Sequence, residues 1–265
     1  MSRSGHGFDP VTRSRPANVA TDEGLRSYML RVYNYMAGGV ALSGVVAYAI
    51  YALAITNDPA AAASSGNTAV ALRPGLFLTP FGHALFATPL MLLVVLAPLG
   101  FVLFLAWRVE KLSVEAAQAA FWMFAAVMGA SLSTIFLRYA ATSIAQVFFI
   151  TAAAFAGLSL YGYSTARDLS GWGAFLIMGV IGLVVASLVN LFLQSSAVQF
   201  AISVIGVLIF SALTAYDTQR TKELYYTVAG NASAAGKAAI MGALSLYLDF
   251  INMFTSFLYL FGDRE

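Results

Sequence analysis

The segment Ser245-Leu-Tyr-Leu-Asp-Phe-Ile-Asn252 places an ionisable side chain, Asp249, inside the last long apolar run of the chain. A second aspartate, Asp217, lies in the preceding apolar run, within Ser211-Ala-Leu-Thr-Ala-Tyr-Asp-Thr-Gln-Arg220. A charged group at membrane depth is costly, and it indicates a functional site with a partner close by. We therefore expect the two aspartates to be each other's partners.

The composition indicates an integral membrane protein. Hydrophobic residues make up 60% of the 265 residues and charged residues 10%, whereas soluble domains carry about 25% charged residues. The sequence contains no cysteine, which excludes disulfides, thiolate metal sites and cysteine catalysis. The net charge of +2 comes without the clustered Lys and Arg of a nucleic-acid-binding surface, so we expect no nucleic-acid partner.

Seven apolar runs are long enough to cross a bilayer, which takes about 20 residues in a helix. They lie at 31–55, 81–107, 116–137, 141–163, 172–194, 198–219 and 237–261. The sequence thus predicts an all-α membrane protein with one seven-helix domain over residues 27–265, preceded by a polar, flexible tail over residues 1–26. Pro89 and Pro98 predict a kink in the second helix. The stretch 56–80, rich in Ala, Ser, Gly and Pro, is interpreted as a flexible connector.

Lys and Arg are distributed unequally between the predicted loops, and this bias predicts the orientation in the membrane. With the N-terminus in the cytoplasm and the C-terminus outside, the outer side carries only Arg73, Arg138 and Arg264. The rest of the 14 basic residues lie on the inner side, at Arg3, Arg13, Arg15, Arg26, Arg31, Arg108, Lys111, Arg167, Arg220, Lys222 and Lys237. We therefore predict a cytoplasmic N-terminus.

The two aspartates are predicted to lie at the same depth. The stretch Gly230-Asn-Ala-Ser-Ala-Ala-Gly236 has the composition of a turn, so the last two helices would form an antiparallel hairpin around it. Asp217 and Asp249 would each lie roughly 12 residues, or about 18 Å, from the tip of that hairpin. This spacing permits the two carboxyl groups to meet.

Further polar residues accompany the pair. Ser245 and Asn252 lie four residues before and three residues after Asp249, so the three side chains share one face of the last helix. Polar stripes in a helix bundle face inward or line water. The predicted supporting set consists of these two residues of the last helix and two residues close to Asp217: Thr214, Gln219, Ser245 and Asn252.

The chemistry of two carboxylates in an apolar site permits several functions. They cannot both ionise cheaply, so the pair is expected to titrate as a unit and to take up a proton near neutral pH. Oxygen ligands also suit Ca²⁺ or Mg²⁺, so Asp217 and Asp249 could form a cation site. Aspartyl-protease chemistry is disfavoured, because no other feature of such a site accompanies the pair. A structural role, as interhelical contact or as charge cap, stays open for both.

Arg108 is a third charged residue of interest, because it ends the second predicted helix on the inner side. It could pair with Asp217 when that carboxyl is ionised and release it on protonation. The alternative is an ordinary positive anchor at the membrane surface.

Two motifs together, Ala215-Tyr-Asp-Thr-Gln219 and Ser245-Leu-Tyr-Leu-Asp-Phe-Ile-Asn252, resemble the signature of the transmembrane Bax-inhibitor-motif family. The resemblance implies six helices around a central C-terminal seventh helix, with the aspartate pair near the inner end of that helix. It also implies that Asp217 and Asp249 form a pH sensor for a slow Ca²⁺ leak, and that Arg108 latches onto Asp217.

The resemblance therefore implies a pH-sensitive Ca²⁺ leak channel of a bacterial inner membrane. Its partners would be the bilayer, protons and Ca²⁺ as a permeant or weakly bound ion, without a tightly bound cofactor. The alternative is a non-conducting regulator that binds a membrane protease or another stress-response partner through its N-terminal tail. An enzyme is not expected, because no predicted helix after the second carries the histidine that rhomboid-like catalysis needs.

Overall fold

Long helices dominate the computed structural model, which describes residues 15–65, 68–108 and 111–264. In the described part of the chain the helices are α1 (Arg15–Ala54), α2 (Pro80–Phe86), α3 (Leu90–Arg108), α4 (Val114–Leu132), α5 (Ala141–Ser164), α6 (Gly173–Leu193), α7 (Ser196–Val228) and α8 (Ala232–Phe261). The described residues contain six helices that are long and apolar enough to cross a membrane, or seven spans if α2 and α3 are counted together.

The second predicted helix is a broken span. Its two parts, α2 and α3, are bent by 62° relative to each other. The break lies at residues 87–89, just before α3 begins at Leu90. Pro89 has no backbone N–H and fixes its own φ angle, so it begins a helix easily but cannot continue one. The predicted kink is thus confirmed at Pro89, whereas Pro98 lies inside α3.

The first helix begins earlier than the sequence predicts. The sequence predicts a flexible tail over residues 1–26, and in the described part of that range the chain is helical from Arg15 onward. Pro16 is tolerated there because it lies in the first helical turn, and the residues that follow contain good helix formers. Residues 1–14 lie outside the described part.

The prediction of a flexible connector over residues 56–80 is wrong. The chain there forms the short strands β1 (Ile55–Thr56), β2 (Ser64–Ser65), β3 (Thr68–Ala69), β4 (Ala71–Arg73) and β5 (Leu76–Leu78). They pair antiparallel as β1-β5-β4 and β2-β3. A tight turn at Pro74 and Gly75, whose φ of 78° suits glycine, joins β4 to β5. We call residues 55–79 the β lobe.

The last two helices form an antiparallel hairpin whose loop covers residues 229–231. The Asn231 side chain accepts a hydrogen bond from the Ala234 N–H at 3.0 Å and so caps α8. The predicted turn over 230–236 is therefore too long, because alanines next to a capping asparagine extend the helix. We call this end of the bundle the hairpin end and the opposite end, which carries the β lobe, the lobe end.

The C-terminal helix is the most buried of the spans. In the most apolar stretch of α8, 72% of the residues are buried, against 17–28% in the other spans that consist of a single helix. It packs against α1, α4, α5 and α7. Tyr247 of α8 is fully buried, and its ring meets Phe121 and Phe124 of α4 edge to face at 6.1 and 5.8 Å. Its hydroxyl group forms a 2.6 Å hydrogen bond with Ser43 of α1.

Candidate functional site

Asp249 lies in the interior of the protein, on the most buried helix. Only 4% of its surface is exposed. Its Oδ2 atom is buried, and no described residue forms a hydrogen bond with it. Buried polar atoms are nearly always hydrogen-bonded, so an atom without a partner calls for a functional explanation. The Asp249 carboxyl group is thus buried inside the protein, and its predicted function as a proton sensor stays a prediction.

Asp217 is half-buried on α7 and is electrostatically connected to Asp249. The charge of Asp217 acts on the Asp249 carboxyl group, and the charge of Arg220 acts on Asp217. Arg220 is exposed and follows Asp217 by three residues, about one helical turn. The structure thus brings the two aspartates together and places one cation on the α7 side of the pair.

The register of α7 against α8 follows from two close contacts. Gly206 faces the Ser256 side chain, and Gly242 packs against Thr221. In this antiparallel register Asp249 stands across from residues 213 and 214. Asp217 therefore lies about one helical turn nearer the hairpin end than Asp249. The carboxyl groups are neighbours, but they are not level as the predicted turn position implied, because the loop is centred near residue 230.

A partly buried chain of hydrogen-bonded hydroxyl groups lies beside Asp217. Thr218, fully buried, donates to the Thr214 carbonyl at 2.7 Å and lies 3.0 Å from the Ser159 hydroxyl of α5. Ser159 in turn lies 2.6 Å from the Tyr33 hydroxyl of α1. The chain from Tyr33 through Ser159 to Thr218 therefore connects three helices. Thr218 is not among the predicted supporting residues, although its four-residue spacing from Thr214 marks a shared helix face.

Thr214, a predicted supporting residue, lies where the register puts it across from Asp249. It is fully buried, and its hydroxyl donates to the Phe210 carbonyl at 2.8 Å. A hydroxyl keeps acceptor capacity after donating one hydrogen bond. Thr214 is thus a polar neighbour on the wall of α7 that faces α8.

Gln219 does not point at the pair. Its Nε2 donates to the Arg167 carbonyl at 2.8 Å, and its Oε1 accepts from the Leu169 N–H at 2.8 Å. Two residues correspond to a rotation of about 200° around a helix, so Gln219 and Asp217 lie on opposite faces of α7. The amide therefore holds the loop between α5 and α6 rather than the carboxyl pair.

Asn252 and Ser245 extend the polar face of α8. Asn252 donates to the Leu248 carbonyl at 2.8 Å and lines a cavity of about 540 Å³ at the lobe end, together with Gly206, Phe210 and Ser256. Ser245 is half-buried on the other side of Asp249. The stripe therefore leads from Asp249 toward a space between the helices.

Arg108 ends α3 and is exposed. The cation whose charge acts on Asp217 is Arg220 instead, so the Arg108 latch stays a prediction. Among the described residues no group of three or more His, Cys, Asp or Glu side chains could hold a metal ion. Ca²⁺ takes six to eight oxygen ligands, so Asp217 and Asp249 can supply only part of a coordination shell.

Comparison with known proteins places this site in a family. A family model described as "Inhibitor of apoptosis-promoting Bax1" matches residues 25–265. The chain belongs to the Bax inhibitor family. The family predicted from the two aspartate motifs is thus confirmed.

Relatives of this Bax inhibitor family protein occur in bacteria, and one of them is named as an inner membrane protein. The chain is 40% identical to the "Inner membrane protein YbhL" of Escherichia coli (strain K12), over 91% of this chain and 94% of the relative. It is 45% identical to a protein of Caulobacter vibrioides, over 94% and 93%, and 43% identical to one of Rickettsia prowazekii, over 94% of each. An inner-membrane, multi-pass protein is consistent with these relatives.

Proposed function

We propose that this Bax inhibitor family protein is a pH-sensitive Ca²⁺ leak channel in which Asp217 and Asp249 sense protons. The observation that carries the proposal is the unpartnered Oδ2 atom of Asp249, buried on α8 within reach of the charge of Asp217. A buried carboxylate without a partner is expensive, and a like charge beside it adds to that cost. The pair is therefore the place where gaining or losing a proton changes the energy of the bundle most.

The proposed architecture is six spans around a central α8, with the N-terminus in the cytoplasm and the C-terminus outside. The burial of α8 and its contacts with four other helices support the central position. The distribution of basic residues supports the orientation, because the lobe end carries Arg73, Arg138 and Arg264 and the other described basic residues lie toward the hairpin end.

The proposed gating mechanism is a change in how α7 packs against α8. When both carboxyl groups are ionised, they repel each other, and Asp217 is drawn to a cation, either Arg220 or the proposed latch Arg108. When one proton is bound, the protonated carboxyl can donate a hydrogen bond to its neighbour. The two states favour different α7–α8 contacts. Ca²⁺ would pass by way of the lobe-end cavity and the polar stripe at Asn252.

Ca²⁺ flux into proteoliposomes across a pH series tests the proposal. We expect Asp249→Asn and Asp217→Asn to abolish the pH dependence of the flux, because an amide does not titrate in this range. Asp168→Asn is the matched control, because Asp168 is an exposed aspartate of the α5–α6 loop. If Asp249→Asn leaves both the flux and its pH dependence as in the unmodified protein, the proton-sensing mechanism is wrong.

A second function, a non-conducting regulator of a membrane protease or another stress-response protein, is favoured by the length of α1. This helix has 40 residues, which corresponds to about 60 Å, roughly twice the thickness of the hydrocarbon core. Its N-terminal part can therefore project from the hairpin end as a contact surface. Deleting residues 1–22 keeps the apolar span Glu23–Ala54. Loss of partner binding with unchanged Ca²⁺ flux would favour the regulator, and the reverse result would favour the channel.

A further inference from the structure

A lateral groove separates α1 from α5 at the hairpin end of the bundle. Its volume is about 680 Å³. Four buried side chains form its floor: Met29, Met36, Phe155 and Ser159. Small exposed residues on both helices, Ala37 and Ala156, leave its far half open to the side. The groove is thus a preformed apolar cavity that is open on the outer side of the helix bundle.

The length of the groove fits one acyl chain of a single leaflet. On α1 its lining runs from Arg26 to Ala37, a rise of about 16 Å. Half of the hydrocarbon core of a bilayer measures about 15 Å. An acyl chain lying in the groove would therefore reach from the membrane surface to the bilayer centre.

Positive charge is concentrated at one end of the groove. Arg26 is exposed and lines the groove at the hairpin end. At the same end Lys222 of α7 donates to the Tyr163 carbonyl at 2.8 Å, and its Nζ lies 5.2 Å from the centre of the Tyr163 ring. Tyr163 is itself part of the groove wall. Each cation also has an acidic residue close to it in sequence: Glu23 lies three residues before Arg26, and Glu223 directly follows Lys222.

We propose that the α1–α5 groove binds one anionic phospholipid, with its phosphate at Arg26 and Lys222 and one acyl chain along the floor. An apolar channel of leaflet length that ends at cations complements a lipid with a negative headgroup. A zwitterionic lipid has the same apolar contacts and the same phosphate, but its quaternary ammonium group would lie beside the two cations and oppose binding. The inference does not depend on Ca²⁺ conduction.

The bound lipid would touch the hydrogen-bonded chain described above. Tyr33 and Ser159 both line the groove, and Ser159 lies 3.0 Å from Thr218, the residue next to Asp217. The acyl chain would shield these hydroxyl groups from the rest of the membrane. Lipid binding would therefore stabilise the contact of α1 and α5 with α7.

Lipid titration of the purified full-length protein in detergent tests the proposal. Phosphatidylglycerol and phosphatidylcholine with identical acyl chains are added separately, and bound lipid is counted by native mass spectrometry while thermal shifts give apparent affinities. We expect one retained phosphatidylglycerol, bound at least about tenfold more tightly than phosphatidylcholine, because only phosphatidylcholine brings a quaternary ammonium group next to Arg26 and Lys222. Arg26→Gln and Lys222→Gln should each remove most of this preference.

Two matched pairs of variants separate this site from general lipid contact. Arg31→Gln is the charge control, because Arg31 lies on α1 but does not line the α1–α5 groove. It lines a neighbouring groove next to Trp122, to which Arg26 also contributes. Ala156→Leu fills the groove and should weaken binding of both lipids, whereas Ala153→Leu on the same helix should not. Each shift is measured against the same variant without lipid. Equal affinity for the two lipids, or equal effects of Arg26→Gln and Arg31→Gln, would overturn the proposal.

Discussion

Replacing Gly162 with alanine should force α5 away from α7 beside the aspartate pair. A Cβ atom on Gly162 would overlap the backbone carbonyl oxygen of Ala215, two residues before Asp217. The obstacle is helix backbone, which cannot rotate aside as the end of a side chain can. Overpacking of this kind costs about 1–3 kcal/mol. The higher helix propensity of alanine offsets up to about 1 kcal/mol.

Gly157→Ala is the matched control for this substitution. Gly157 lies on the same helix, and a Cβ there would meet no atom within 4 Å. Only the gain in helix propensity acts, so the free energy of unfolding should rise by up to about 1 kcal/mol. The two substitutions have the same chemistry and opposite expected signs, which removes any general effect of losing a glycine.

Thermal unfolding in detergent measures both effects. A change of 1 kcal/mol shifts Tm by about 2–4 °C in a protein of this size. With an offset of about 1 kcal/mol, we expect Gly162→Ala to lower Tm by up to roughly 8 °C and Gly157→Ala to raise it by at most about 4 °C. If Gly162→Ala is as stable as Gly157→Ala, α5 and α7 do not approach each other as closely as described, and the packing beside Asp217 is different.

Three further outcomes follow from single contacts. Gln219→Leu removes two hydrogen bonds to the α5–α6 loop, so unfolding should cost roughly 1–3 kcal/mol less and amide exchange in that loop should speed up. Ser170 donates from its side chain and backbone to Asp168 and holds the pKa of that carboxyl below its usual range. This stabilisation is present above the ordinary pKa and is lost as the pH falls through the lowered one, so Ser170→Ala should raise the pKa of Asp168 in an NMR titration. Tyr247→Phe removes the hydrogen bond to Ser43 and should lower the free energy of unfolding by about 1 kcal/mol. The check is the double variant with Ser43→Ala, whose effect should differ from the sum of the two single effects.

The helices and the aspartate pair could be predicted because their signals are local. An apolar run of membrane length has few alternatives to a helix, and Pro89 marks the break between α2 and α3 by its own covalent geometry. Asp217 and Asp249 stand out because charge is rare at such positions. Each of these inferences needs only neighbouring residues along the chain.

The features that could not be predicted depend on contacts between distant residues. The β lobe owes its order to pairing, and it is tied to α1 by the hydrogen bond from the Thr79 N–H to the Ala54 carbonyl at 3.0 Å. The role of Gln219 depends on a loop that lies 50 residues earlier in the chain. The one-turn offset of the pair depends on where α8 begins, which the Asn231 cap decides.

If the pair acts as the proposed proton sensor, the contacts of its two helices indicate which helix would move. Asp249 is carried by α8, which packs against four helices, and close-packed interiors resist small displacements. Asp217 is carried by α7, whose polar residues Thr218 and Gln219 bind Ser159 and the following loop. Hydrogen bonds of this kind can be exchanged for others at small net cost. A change in charge at the pair should therefore displace α7 and the α5–α6 loop while α8 stays in place.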